Sequence, residues 1–386
     1  MSILRPLIPF YAVMFMLGVG VGFIAPILPL YARALGATQF TVGLMGTAFT
    51  IAFTMLAIPA GWLSDRFGRR KPFIFGLLCL GVVIYGMSMA GQASILIFLR
   101  GVQGVSSAFI IPVAYAIIGD KVNRGILGKA IGLFGMLHGG GMAFGSIIGE
   151  LVSSQGFSCL FIASAVIVLA AAIIAFFTVH DTGKFYSNRK LVLPNLKVIF
   201  KNKSLFLSFY GGGFVAGFIE MCIVTLVPAY LSMLGFNRLD IRLVFFFMLN
   251  STLISQILAG WLSDKFGRLQ ILLIMLLSAG IFSILFTFSS SFIEVSLTMF
   301  ILGFSYSSVY PVALALISEI GKGALGSSMG VYSLMYGVGG SIGPALSGLL
   351  ADRFTLQAPY ILNGIIAFSA ATLTLSILLQ NTHLKR

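Results

Sequence analysis

Gly61-Trp62-Leu63-Ser64-Asp65-Arg66-Phe67-Gly68-Arg69 and Gly260-Trp261-Leu262-Ser263-Asp264-Lys265-Phe266-Gly267-Arg268 are nearly the same text, 199 residues apart. The same offset carries Pro29 and Tyr31 onto Pro228 and Tyr230, Gly36 onto Gly235, Gly104 onto Gly303 and Pro112 onto Pro311. An offset of 198 carries Gly128, Gly132 and Gly145 onto Gly326, Gly330 and Gly343. One register shared by so many landmarks marks a tandem duplication.

The text around each copy is apolar. Of 386 residues, 59% are hydrophobic and 9% charged, against about 25% charged in a soluble domain. That is too little charge to cover a water-facing surface. Long apolar runs with short polar breaks predict twelve membrane spans, near 7–33, 40–62, 72–92, 93–119, 128–152, 157–178, 204–233, 239–261, 270–289, 292–318, 326–350 and 357–380. The runs are continuous and lack the alternation of barrel strands, so the spans are helices. The first run is too long for a signal-peptide core and has no small-residue cleavage site, so it is expected to be retained. Six spans per half is an even number, which gives both halves one orientation, as parallel repeats about an axis along the membrane normal. The expected fold is all-α, two pseudo-symmetric six-helix bundles over 1–180 and 204–386 joined by a polar cytoplasmic linker at 181–203.

Glycine makes up 45 residues and tolerates close backbone approach. Gly18 and Gly22, Gly213 and Gly217, Gly141, Gly145 and Gly149, and Gly339, Gly343 and Ser347 recur every fourth position. This spacing places them on helix faces, as packing seams or as sliding ones.

The net charge of +14 would otherwise suggest nucleic acid, but it divides across the membrane. Nineteen Lys and Arg fall on the side of the termini, four (Arg33, Arg238, Arg242 and Arg353) on the other, and Arg100 within a span. This asymmetry predicts cytoplasmic termini and accounts for the basic excess without nucleic acid. Cys79, Cys159 and Cys222 follow no ligand or redox spacing and read as small core residues.

Two six-helix halves, each with G-x-L-S-D-[RK]-F-G-R after its second span, resemble the major facilitator superfamily. The first copy, running on to Arg70 and Lys71, matches that family's signature more fully than the second, which ends Arg268-Leu269-Gln270. Leu99-Arg100-Gly101-Val102-Gln103-Gly104, followed by Pro112, Asp120 and Arg124, resembles a second family motif. Length and motifs are most similar to the twelve-helix drug–proton antiporter branch. The antiporter pattern G-P-x-x-G-G is altered in the fifth span to Gly145-Ser146-Ile147-Ile148-Gly149-Glu150.

Of ten acidic residues, Glu220 and Glu150 remain within spans once the motif acids Asp65 and Asp264, the span-end acids Asp120 and Glu319, and Asp181, Asp240, Glu294 and Asp352 in or near loops are set aside. A carboxylate at mid-membrane costs several kcal/mol unless it faces a cavity, is paired or is protonated. Glu220, whose repeat counterpart is Val21, therefore reads as a proton-coupling or cation-recognising group, or as a structural hydrogen-bonding residue. Arg100 keeps its charge and reads as a partner for a carboxylate or an anion, or as a snorkelling side chain. The resemblance implies a cavity-facing arginine linked to protonation. Glu150, at the end of the fifth span, reads either as a third coupling group or as a solvated end residue. His138, Asn250, Gln256, Tyr332 and Tyr336 are candidate cavity residues beside Glu220 and Arg100.

The resemblance gives the repeated motif a gating role: Gly61, Asp65, Arg66, Gly68, Arg69 and Arg70 in the first half and Gly260, Asp264, Gly267 and Arg268 in the second. Asp65 is expected at the positive end of the eleventh helix, and Arg69 is expected to pair with Asp120.

No G-x-x-x-x-G-K-[ST] is present, so there is no P-loop for ATP. His138, His180 and His383 stand apart, without metal-ligand spacing, and no catalytic set is readable. The expectation is a secondary active transporter, not an enzyme, of the cell (inner) membrane, monomeric, with protons as coupling ion and no cofactor. It exports small amphipathic or cationic compounds by alternating access. Symport or uniport of a small, anionic metabolite is the alternative; a transport-derived membrane receptor is a second.

Overall fold

The computed structural model describes residues 7–122, 126–153, 155–181, 203–320 and 325–383. The expected linker lies, apart from its end residues, outside this set, as do Arg124 and Lys322. Twelve helices are long and apolar enough to cross a membrane. They are α1 (Ile8–Ala34), α2 (Gln39–Phe67), α3 (Arg70–Ser88), α4 (Ala93–Lys121), α5 (Lys129–Val152) and α6 (Phe157–Thr178), then α7 (Leu205–Met233), α8 (Arg238–Phe266), α9 (Arg268–Phe286), α10 (Phe292–Ile317), α11 (Ser328–Arg353) and α12 (Ala358–Gln380). No strand occurs among the described residues.

The helices α2 and α8 run to Phe67 and Phe266, beyond the expected ends. Most of each motif copy thus forms about the last two turns of its helix. A hydropathy window misses such a turn because its residues are amphipathic. Gly68 and Gly267 make the bend that follows, with φ of 90° and 95°, a region open to glycine at no steric cost. Gly36 and Gly235 repeat this at the other end, with φ of 82° and 87°.

The chain forms two compact units. The first holds Met1–Ala37, Ala48–Leu191 and Leu231–Leu249; the second holds Thr38–Thr47, Val192–Tyr230 and Asn250–Arg386. In the first, α1 packs on α5 and α6, and α3 on α4 and α6. In the second, α7 packs on α10 and α11, and α9 on α10 and α12. Tyr31 meets Phe161 at 5.3 Å between ring centroids, and the counterparts Tyr230 and Tyr360 meet at 5.0 Å. The duplication thus extends to individual contacts. A cluster of Leu205, Phe209, Ala313, Ile317, Val331 and Tyr332 fills the second unit between α7, α10 and α11.

The glycine stripes form the tightest seams. A Cβ on Gly18 or Gly22 would collide with the backbone of His138 or Met142, and one on Gly141 or Gly145 with that of Phe15 or Val19. The α7–α11 seam repeats the arrangement, with Gly217 against Tyr336 and Gly339 against Phe214. Both seams lie inside a unit, so they act as packing contacts.

Two departures between the halves lie on α1 and α7. Pro26 lacks an N–H and coincides with a break in α1 between Ile24 and Leu28; its counterpart is Thr225, and α7 continues through that point. In α7, Ser208–Val215 winds as π-helix at Gly211-Gly212-Gly213, a triplet replaced by Ala12-Val13-Met14 in α1. π-Helical turns are rare and concentrate at functional sites.

Gly145→Ala should lower stability by about 1–3 kcal/mol, the usual cost of overpacking. Gly140→Ala, on the same helix with nothing within 4 Å of the added carbon, should not. Thermal unfolding of the two purified variants checks this.

Candidate functional site

Glu220 lies one turn after Gly217 on α7. Because Gly217 lets α11 approach so closely, Tyr336 is within reach, and its hydroxyl donates to Glu220 Oε2 at 2.7 Å. The carboxyl also lies within electrostatic reach of the Tyr306, Tyr310 and Tyr332 phenols. Tyr310 and Tyr332 meet edge to face at 5.5 Å. Glu220 is half-buried and its contacts are with α10 and α11. An acid that accepts from one phenol and lies within electrostatic reach of three others suits a cation or a proton.

Tyr332, a candidate cavity residue, is itself buried. Its hydroxyl donates to the Gly212 carbonyl at 2.8 Å, a group inside the π-helical turn. One helix of tyrosines therefore holds both the irregular backbone of α7 and its carboxyl. Tyr306 and Tyr310 were not singled out from the sequence; the signal was their spacing of four, one turn apart on α10 and flanking Ser307 and Ser308. Gln256 is exposed, and its Nε2 donates to Ser307 Oγ at 3.4 Å, joining α8 to α10. Asn250 is half-buried on α8.

Arg100 belongs to the first unit. Its Nη1 donates to Gln103 Oε1 at 2.8 Å, and its guanidinium lies 4.5 Å from the centre of the Phe49 ring. These partners are neutral, so they solvate the cation without cancelling its charge. The His138 ring nitrogen Nδ1 is 3.3 Å from the Met14 carbonyl, and the ring stacks on Phe134 at 6.0 Å. This ties the histidine to the α1–α5 seam.

The first motif copy is a buried cluster. Arg69 is 4% exposed. It pairs with Asp65, sits with Nε 3.0 Å from Asp120 Oδ2, and donates from Nη1 to Ser64 Oγ at 2.8 Å. The expected Arg69–Asp120 pair is present. Arg66 lies over Trp62 and Phe67, each at 5.6 Å, and Arg70 donates to the Phe176 carbonyl. Asp181 accepts from the Arg70 backbone N–H at 2.9 Å, beside Gly68. The second copy is looser. Arg268 is 3.5 Å from Asp264, which is 71% exposed, and donates to the Ala315 carbonyl. Gly61 and Gly260 have open space around them. The position matching Asp120 is Glu319, whose side chain lies outside the described residues.

Glu150 is 3.1 Å from Arg242 Nε, and Arg242 is fully buried. The charge count places Arg242 on the side opposite the termini, and nothing in the sequence signals this pair. No group of three or more His, Cys, Asp or Glu side chains able to hold a metal occurs among the described residues.

The family model described as Major Facilitator Superfamily matches residues 10–253 and 211–386. An uncharacterised MFS-type transporter of Methanocaldococcus jannaschii is 28% identical, over 88% of this chain and 90% of that one. Multidrug resistance protein 2 of Bacillus subtilis is 26% identical, over 92% and 91%. The multidrug resistance protein MdtG of Escherichia coli is 24% identical, over 92% and 90%. Among solved structures, a mutant of the nucleoside transporter NupG superposes with a TM-score of 0.84 at 12% identity, covering 96% of this chain and 99% of that one. A bacterial homologue of the human lysosomal transporter Spinster superposes at 0.81 and 14% identity, covering 96% and 95%. The structural likenesses speak for the fold, and the family match spans both halves of the duplicated chain, so this integral membrane protein belongs to the major facilitator superfamily of transporters.

Proposed function

We propose that this transporter expels small amphipathic cations in exchange for protons, through alternating access to a site that includes Glu220. The observation that carries the reading is the Glu220 carboxyl, deep in α7, which accepts from the Tyr336 hydroxyl. A cation and a proton compete for such a group, because each neutralises the same charge. Exchange follows if the empty, unprotonated carboxylate is the form least able to reorient. Shifting a two-state population from 1:99 to 99:1 takes about 5.5 kcal/mol of differential binding. One charge in a low-dielectric site is of the right size to supply that. The relatives named as multidrug resistance proteins support the reading.

In this scheme Arg69, between Asp65 and Asp120, braces the ends of α2, α3 and α4 on the side expected to be cytoplasmic. A second reading, uptake of a small anion, is favoured by Arg100 alone, whose charge is met by Gln103 and Phe49. The direction of the pH change on adding substrate to vesicles separates the two.

In inside-out vesicles with an acidic lumen, the native protein should accumulate the lipophilic cation tetraphenylphosphonium, and Glu220→Gln should not. Accumulation undiminished in the variant would overturn the role of Glu220. Tyr336→Phe removes a hydrogen bond to a charged group, worth about 1.5–3 kcal/mol. It should change the apparent affinity for tetraphenylphosphonium by about tenfold or more; initial rates measured across its concentration check it. Arg69→Gln leaves two carboxylates facing each other and should cost about 3–5 kcal/mol of stability. Arg268→Gln, beside an exposed partner, should cost less than about 1 kcal/mol. Thermal unfolding ranks the two.

A further inference from the structure

The seam between α7 and α11 changes character along its length. Phe218 packs on Gly343, and four residues on along each helix stand Cys222 and Ser347. Both are buried, and so are Tyr360 and Asn363 of α12. The Cys222 thiol lies beside the Ser347 and Asn363 side chains and within electrostatic reach of the Tyr360 phenol. All four residues belong to the second unit. Three helices thus close on four polar side chains, none of which is a carboxylate or a cation.

The duplication shows what stands at the same positions in the first unit. The 199 offset carries Phe23, Phe161 and Ser164 onto Cys222, Tyr360 and Asn363, and the 198 offset carries Gly149 onto Ser347. Each of the four differences adds hydrogen-bonding capacity to the second half. A thiol also fills much less room than the phenyl ring it stands for. In the first unit the buried hydroxyl of Ser164 is used, because it donates to the Gly20 carbonyl at 2.6 Å. At the matching place Asn363 is 0% exposed, yet neither its Oδ1 nor its Nδ2 has a hydrogen-bond partner among the described residues, and Ser347 Oγ has none either. Ser333 and Ser341, on the same helix as Ser347, instead donate to carbonyls of α11 one turn back.

An amide buried among helices in lipid forfeits its hydration unless something replaces it. A neighbouring thiol, a weak donor and a weak acceptor, does not. Water does, since a buried molecule typically makes about three hydrogen bonds to polar groups placed in this way. We propose that Cys222, Ser347, Tyr360 and Asn363 form a site for ordered water inside the second unit, with the Asn363 amide as its anchor. Neutral donors and acceptors fit water rather than an ion. Cys222 lies two residues past Glu220, about 200° round α7, so this site is separate from the carboxyl and does not rest on the transport reading. It gives α7 an exchangeable, hydrogen-bonded contact with α11 and α12 at the level where α1 carries a ring.

The test is X-ray radiolysis of the full-length protein in detergent, with side-chain oxidation read by mass spectrometry. Radiolysis converts bound water into hydroxyl radicals, which oxidise the side chains around it. Phe161 is the control for Tyr360, an aromatic ring at the equivalent position and equally buried. Tyr360 should be oxidised and Phe161 should not. In Asn363→Leu the oxidation of Tyr360 should be lost and the midpoint of thermal unfolding should fall. If that variant fails to fold, Asn363→Ser, which restores the residue of the first half, is read in its place, with the same loss expected. Oxidation of Tyr360 no greater than that of Phe161 in the native protein overturns the proposal. Oxidation of Tyr360 that persists unchanged in the variant does so as well. A midpoint that rises in Asn363→Leu also overturns it, because the amide then had no partner to lose.

Discussion

A carboxyl among apolar helices must be hydrated, paired or protonated, and this requirement organises the second unit around Glu220. Its position depends on close backbone approach at Gly217, which brings Tyr336 into hydrogen-bonding reach. The same helix face holds Tyr332 against the π-helical turn of α7. The acid, its donor and the irregular backbone are therefore one connected structure.

Duplication explains the scaffold, and departures from it mark the work. Paired turns at Gly36 and Gly235, paired bends at Gly68 and Gly267, and paired aromatic contacts at Tyr31 and Tyr230 keep the two halves alike. Glu220 faces no acid in the first half, where Val21 stands. Arg100 has no basic counterpart, since Met299 occupies its place. Arg242 and Glu150 replace two glycines. Glu220, Arg100, Arg242 and Glu150 are charges that one half carries without a charged counterpart in the other, while the shared glycines and prolines carry the common architecture.

Much of this was legible in the sequence. Hydropathy located all twelve spans, because lipid leaves a helix few alternatives, and the Arg69–Asp120 pair followed from the resemblance. The ends of α2 and α8 were not legible, since an amphipathic last turn looks like a loop to a hydropathy window. The π-helical turn was hidden too: Gly211-Gly212-Gly213 announces backbone freedom but not which hydrogen-bond register it takes. Arg242 read as one of four basic residues on the side opposite the termini, although it lies four residues inside its helix. Only the fold shows Ser146, Glu150 and Phe23 converging on it. Tyr306 and Tyr310 lay in an apolar text where aromatic residues are common, so nothing in the sequence set them apart.

The central claim is that cation and proton compete for one carboxyl. It is tested most directly by counting protons released when tetraphenylphosphonium binds to the purified protein in weakly buffered detergent solution near neutral pH. The account predicts a release of up to one proton per bound cation in the native protein and none in Glu220→Gln. Release of the same size from both, or binding by the native protein with no release at any pH, would contradict it.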